Sequence, residues 1–176
     1  GGFVVNFPKS RRSVTPDQLR ALRRELDPSV VPVGVFVDQP VEVVTDLLNR
    51  GIISIAQLHG GEDEDYTAAL RAAAPGKEIW KAFQVRGPAD LERATAFPAD
   101  RILLDSGQGT GRTFDWSLLR HFPRPYLLAG GLDPENLPTA IRTLHPYGVD
   151  LSSGVETDGL KDFTKIQAAV AAAREE

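Results

Sequence analysis

The sequence contains no cysteine and no methionine. Without cysteine, these 176 residues hold no disulfide, thiolate metal site or cysteine nucleophile. A translated reading frame begins with methionine, so its absence leads to the expectation that the chain is processed or lacks its true start. Histidine is scarce: His59, His121 and His145 stand far apart, with no HExxH spacing and no cysteine to complete a ligand set, so no metal is expected. His121 and His145 lie close to prolines near expected helix ends and read as structural. No apolar run approaches the ~18 residues of a spanning helix, and no charged-then-apolar signal opens the chain, so no membrane association is expected. Neither charge dominates, with 20 Lys+Arg against 24 Asp+Glu, a net charge of −4 and a pI near 5.4. That balance gives no reason to expect nucleic acid as a partner. No Pro/Gly/Ser linker interrupts residues 1–176, which read as one globular domain.

What is present is a strand–helix alternation. Apolar, β-branched runs begin at residues 2, 30, 53, 79, 101, 126 and 149. Each is short and nearly continuous, as in strands buried on both faces of a parallel sheet. Helix-like stretches lie between them. Thr15 before Pro16 reads as an N-cap, and Val41, Val44, Leu47 and Leu48 form one stripe that Gly51 ends. Further helices are expected over Pro16–Leu26, Pro40–Asn49, Asp63–Ala74, Pro88–Ala96, Asp115–His121, Pro134–Leu144 and Asp162–Ala173. The last is expected to bury Phe163, Ile166 and Val170. Short loops in such a series mean a parallel α/β sheet, open or closed as a barrel. No side-chain template repeats between units, and no dinucleotide fingerprint or P-loop is present.

In βα barrels chemistry sits at the C-terminal ends of the strands. Two such ends carry Ala129-Gly130-Gly131 and Asp150-Leu151-Ser152-Ser153-Gly154. Their amides and hydroxyls suit a phosphate group; tight turns alone would also use the glycines, but both loops in this order favour phosphate. Asp105 ends the run Ile102-Leu103-Leu104. A carboxylate there serves as a general acid if burial raises its pKa, or as a cap for the turn that follows; position alone leaves both open. Arg12, in Lys9-Ser10-Arg11-Arg12, is a carboxylate ligand or a solvated loop cation. Glu62-Asp63-Glu64-Asp65 reads as a solvated helix start, and Trp80 and Trp116 as core.

Taken together, these segments resemble the phosphoribosylanthranilate isomerases of tryptophan biosynthesis. The likeness rests on Phe7-Pro8-Lys9-Ser10-Arg11-Arg12, Val33-Gly34-Val35-Phe36-Val37 and Gln57-Leu58-His59-Gly60. It continues through Leu103-Leu104-Asp105-Ser106, Gly109 to Trp116, Ala129 to Asn136 and Val149 to Glu156, in family order. The resemblance implies a (βα)8 TIM barrel performing an Amadori rearrangement, without cofactor or metal, on a small phosphorylated ribosylamine. It implies Asp105 as general acid, Arg12 as the clamp on the anthranilate carboxylate, and Gly130, Gly131, Ser152, Ser153 and Gly154 as the phosphate cradle. His59 and Asp150 match motif positions without an assigned role. Gly107–Gly111 resembles a loop that closes over substrate. A cytoplasmic enzyme, monomeric or homodimeric, is implied.

The chain departs from the family in one respect. The cysteine base belongs to a first strand that has no counterpart here, so seven of the eight strand–helix units are expected. Gly2–Phe7 and Val149–Gly154 would then be open sheet edges, and the chain alone would be inactive. Other readings are a non-catalytic phosphate-ligand binder or inactive fragment, and the related aldose–ketose isomerase of histidine biosynthesis. The Lys-Ser-Arg-Arg and Thr-Phe-Asp-Trp segments favour the anthranilate enzyme.

Overall fold

A computed structural model describes residues 1–107 and 116–175. The chain forms two compact units, Gly1–Ala82 with Phe97–Arg101, and Phe83–Ala96 with Ile102–Glu176.

The first unit contains β1 (Gly2–Val5), β2 (Ser13–Val14), α1 (Pro16–Glu25), β3 (Val33–Phe36), α2 (Val41–Asn49), β4 (Ile55–Leu58), α3 (Glu64–Ala73) and most of β5 (Glu78–Gln84). Its strands are all parallel, in the order β2-β1-β3-β4-β5. Parallel neighbours need a crossover, which α1, α2 and α3 supply for β1–β3, β3–β4 and β4–β5, while the loop of residues 6–12 joins β1 to the short β2. Thr15 starts α1 with a complete capping box: its hydroxyl accepts from the Gln18 amide at 3.2 Å while the Gln18 side chain accepts from the Thr15 amide at 2.9 Å. Asp63 caps α3 through the Tyr66 amide at 2.8 Å. The α2 stripe buries Val44, Leu47 and Leu48, which join Val5, Leu19, Phe36, Leu58, Leu70 and Ile79 in one core.

The second unit contains α4 (Pro88–Ala96), β6 (Arg101–Asp105, entering from the first unit), β7 (Tyr126–Ala129), α5 (Leu137–Leu144), β8 (Gly148–Val149), the hairpin β9 (Glu156–Thr157) and β10 (Leu160–Lys161), and α6 (Phe163–Glu175). Strands β6, β7 and β8 are parallel neighbours, with Leu104 opposite Leu128 and Leu128 opposite Val149. Ile102, Leu103, Leu104 and Leu128 are fully buried, as continuous apolar runs in a parallel sheet should be. Asp158 and Gly159, both left-handed at φ 51° and 80°, make the two-residue turn between β9 and β10.

Several expectations are corrected. Gly2–Phe7 is not an open edge along its length, because Ser13 and Val14 pair with Val4 and Val5. The strand expected over Val149–Gly154 is only Gly148–Val149; the chain then turns into a short 3-10 segment at Ser153–Val155. In place of a helix at Asp115–His121 there is a 3-10 turn at Trp116–Leu119, and Asp115 lies outside the described residues. Phe163 and Val170, expected to be buried, are 72% and 43% exposed, and Ile166 lies at 36%. Helix α6 turns its other face inward, through Lys165, Ala169, Ala172 and Ala173. Alanines make that face apolar too, so period alone does not choose between the two. Trp80 and Trp116 are half-buried, and the Trp80 indole donates to Glu78 at 2.7 Å.

Phe36 is fully buried, its ring against the Cα of Gly34. Phe36→Ala is expected to cost about 3–5 kcal/mol, seen as a lower urea midpoint at unchanged m.

Candidate active site

In the second unit, three of the expected site segments come together. Asp105, half-buried at the end of β6, accepts a hydrogen bond from the Gly107 amide through Oδ1 at 2.8 Å. The turn-capping role is therefore met by one carboxylate oxygen. Ser106 is buried beside it and reaches the Ala129 carbonyl with its amide at 2.9 Å and its hydroxyl at 3.1 Å. Gly130 follows at φ 99°, and a Cβ there would overlap the Gly107 nitrogen and Asp105 Oδ1. Glycine is required at this position by conformation and by close approach together. The Gly107–Gly111 loop is described only at Gly107; residues 108–111 lie outside the described residues.

Gly131, at φ 65°, has open space where a side chain would project. Asn136 holds this turn by donating to the Gly131 carbonyl at 2.8 Å and accepting from the Asp133 amide at 2.9 Å. Gly154 packs so closely on Leu132 that a Cβ would overlap the Leu132 carbonyl oxygen. The turns after β7 and β8 are thus locked together by backbone contact. In the Ser153–Val155 turn beside this junction the Val155 amide donates to the Ser152 carbonyl at 3.4 Å. A groove lined by Asp133, Glu135, Ser153, Gly154, Thr164 and Lys165 runs alongside.

Lys161 was not anticipated from the sequence. Its ammonium lies 3.0 Å from the Ser152 carbonyl and 2.8 Å from Glu156, which puts a cation on the Ser-Ser-Gly turn. The local signal was Asp158-Gly159, a hairpin dipeptide that carries Lys161 back toward Ser152. Asp162 then starts α6, accepting from the Thr157 hydroxyl at 2.7 Å and the Lys165 amide at 3.1 Å. These bonds, led by the Thr157 hydroxyl, hold its carboxyl below the usual value of 3.8.

In the first unit, Arg12 is half-buried on a loop that folds back on itself. The Phe7 amide donates to the Ser13 hydroxyl at 2.9 Å, and the Arg12 amide to the Ser10 hydroxyl at 3.2 Å. His59 follows β4, its amide bonded to the Phe36 carbonyl at 2.8 Å. Asp150 follows β8 in the second unit, its amide on the Leu128 carbonyl at 2.8 Å.

The solvated reading of Glu62 is wrong. Its side chain is 1% exposed and lies 3.1 Å from the Lys81 ammonium, itself 5% exposed. A buried carboxylate needs such a partner, and this loop residue finds it in β5.

Two effects follow for the second unit. Gly130→Ala forces a strained left-handed alanine against Asp105, costing more than about 1 kcal/mol in urea unfolding. The Asp162 contribution to stability is complete above 3.8 and is lost as pH falls through its lower folded value. Acid titration of Asp162→Asn should therefore show a shallower loss of stability below pH 3.8 than the parent.

Known proteins share this fold and much of this sequence. The profile of the N-(5'-phosphoribosyl)anthranilate (PRA) isomerase family matches residues 2–172. An N-(5'-phosphoribosyl)anthranilate isomerase from Desulforudis audaxviator is 43% identical, over 99% of this chain and 86% of that protein. Among solved structures, mutually generated monomers of the dimeric phosphoribosylanthranilate isomerase from Thermotoga maritima align with a TM-score of 0.83 and 37% identity, over 99% of this chain and 87% of that one. A phosphoribosylanthranilate isomerase bound to reduced 1-(o-carboxyphenylamino)-1-deoxyribulose 5-phosphate aligns at 0.84 with 37% identity and the same coverage. The chain belongs to the N-(5'-phosphoribosyl)anthranilate isomerase family.

Proposed function

We propose that this chain carries the general acid, Asp105, and the phosphate cradle of an isomerase that converts N-(5'-phosphoribosyl)anthranilate to 1-(2-carboxyphenylamino)-1-deoxyribulose 5-phosphate in tryptophan biosynthesis, the cysteine base being absent from these 176 residues. The family match over residues 2–172 supports the reaction. The junction of Asp105, Gly107 and Gly130 supports the residue assignment. Oδ1 is occupied by the Gly107 amide, which orients the carboxyl group and leaves Oδ2 to carry the proton.

The reaction needs an acid because the furanose ring oxygen is a poor leaving group until protonated. Asp105 donates to that oxygen as the C1′–O bond breaks and the anilino nitrogen lone pair forms a protonated Schiff base. Loss of the C2′ proton then gives an enolamine, which tautomerises to the ketose. The resemblance assigns that second proton to a cysteine, a residue this chain does not contain. Arg12 holds the anthranilate carboxylate by a bidentate pair. Gly130, Gly131, Ser152, Ser153 and Gly154 receive the phosphate, with Lys161, itself paired with Glu156, beside them. Those turns suit an anion because their backbones are held by glycine contacts rather than by side chains that would fill the space.

The finer architecture belongs to the same reading: a single phosphate-binding domain over residues 1–176, contributing seven strand–helix units of a (βα)8 TIM barrel. Its partners are the small phosphorylated substrate and, if oligomeric, a second copy; nucleic acid is not among them. Among the described residues no helix is long and apolar enough to cross a membrane. The proposed setting is the cytoplasm.

Loss of phosphoribosylanthranilate fluorescence measures the reaction directly. In the active enzyme, Asp105→Asn is expected to lower kcat about 10²–10⁴-fold and to hold affinity for a reduced product analogue within about threefold. Retained turnover would remove Asp105 from the acid role. Analogue binding without turnover in an enzyme that includes the cysteine base would favour the non-catalytic binder.

A further inference from the structure

The first unit contains a buried polar frame that the reaction scheme above does not use. Glu62 Oε1 accepts from the Gly60 amide at 2.7 Å and from the Lys81 ammonium at 3.1 Å. Its Oε2 accepts from the Asp38 amide at 2.8 Å. Lys81 also donates to the Gly60 carbonyl at 2.7 Å, and its ammonium lies 5.8 Å from the centre of the Phe97 ring. Asp38 returns a bond, its Oδ1 accepting from the Gly61 amide at 2.7 Å. One carboxylate and one ammonium thus tie the ends of β3 and β4 to the middle of β5.

The frame continues toward β1. Gln39, next to Asp38, donates from Nε2 to the Asn6 carbonyl at 3.0 Å, and its own carbonyl accepts from the Tyr66 hydroxyl at 2.7 Å. Burial, then the nearby carboxylates of Glu62, Glu42 and Asp38, push the Tyr66 hydroxyl up to about 12, so it remains a donor. Asn6 and Asp38 both sit in the left-handed region, at φ 52° and 51°. Such conformations in residues other than glycine persist only where surrounding bonds enforce them. Asn6 begins the loop that carries Arg12.

We propose that the buried Glu62–Lys81 pair is a positioning device for substrate recognition. It sets the backbone of Asp38, Gly60 and Gly61 and, through Gln39 and Asn6, the placement of the Arg12 loop. Geometry favours this role over simple core filling. Two of the three groups bonded to Glu62 are loop amides, and Lys81 spends a further bond on a loop carbonyl. A pair serving the core alone would be satisfied within the sheet. Position matters because a bidentate guanidinium–carboxylate contact is lost with a small displacement of either partner. The proposal rests on Arg12 as the carboxylate clamp, and its test separates the two.

Glu62→Gln and Lys81→Met are compared with the parent after circular dichroism establishes folding; the nearly isosteric Glu62→Gln serves alone if Lys81→Met fails to fold. Two readouts are taken: amide exchange at Asp38, Gly60 and Gly61, and affinity for a reduced product analogue with and without its benzoate carboxylate. Exchange should rise about tenfold or more at those three amides. Affinity for the carboxylate-bearing analogue should fall about fivefold or more, with the carboxylate-free analogue nearly unaffected. Equal weakening of both analogues, or unchanged exchange in a folded variant, overturns the proposal. Arg12→Ala is the control for the clamp. If it leaves discrimination between the analogues intact, the clamp assignment fails, and exchange at the three amides alone decides the role of the pair.

Discussion

Parallel strand pairing is the constraint on which the rest depends. Parallel neighbours cannot be joined by a tight turn, so every strand must be followed by a crossover that returns the chain to its starting level. In each unit this gathers the C-terminal strand ends on one side and leaves the helices to cover the sheet. Asp105, Gly130 and Ser152 are distant in sequence yet follow successive neighbours in the order β6-β7-β8. Asn6, Asp38, His59 and Lys81 are grouped by the same rule in the order β1-β3-β4-β5. The apolar strands provide the burial, and the polar residues concentrate where the strands stop.

The two units organise those ends by different physics. In the second unit the turns after β6, β7 and β8 are fitted together by backbone contact, with Gly130 against Gly107 and Asp105, and Gly154 against Leu132. A Cβ is excluded at Gly130 and Gly154, which lets backbone approach backbone at both junctions. In the first unit the strand ends are held by side chains instead. Glu62 and Lys81 are removed from water, and that desolvation is offset only because each finds backbone partners in addition to the other. A glycine junction suits an anion that must approach the backbone closely. A charged frame suits a loop whose own side chain must be aimed.

The candidate site was legible where chemistry is local. An aspartate ending an apolar strand, paired glycines after the next and Ser-Ser-Gly after the third are visible without coordinates. The Thr15 capping box and the Asp63 cap are also formed between residues three apart and read directly from the sequence. The β9–β10 hairpin is equally local, because Asp158-Gly159 is a two-residue hairpin turn, but the strands it joins are only two residues each and show no apolar run. Glu62 is different in kind. Nothing in Glu62-Asp63-Glu64-Asp65 separates the first acid from the other three, because its burial is decided by Lys81 in a separate strand. Helix α6 likewise offers two apolar faces, and packing turns the alanines inward and leaves Phe163 exposed.

The amino-acid order by itself determined the alternation of parallel strands and helices, because strand length, helix period and caps are set by neighbours within a few residues. It also determined the family, through motifs whose order survives across nearly the whole chain. Only the tertiary structure decided which charged residues are buried, which face of α6 is packed, and which glycines are irreplaceable. Those properties depend on what lies across the fold from each residue. Burial energies and close contacts belong to pairs of segments, and a linear sequence does not state its pairs.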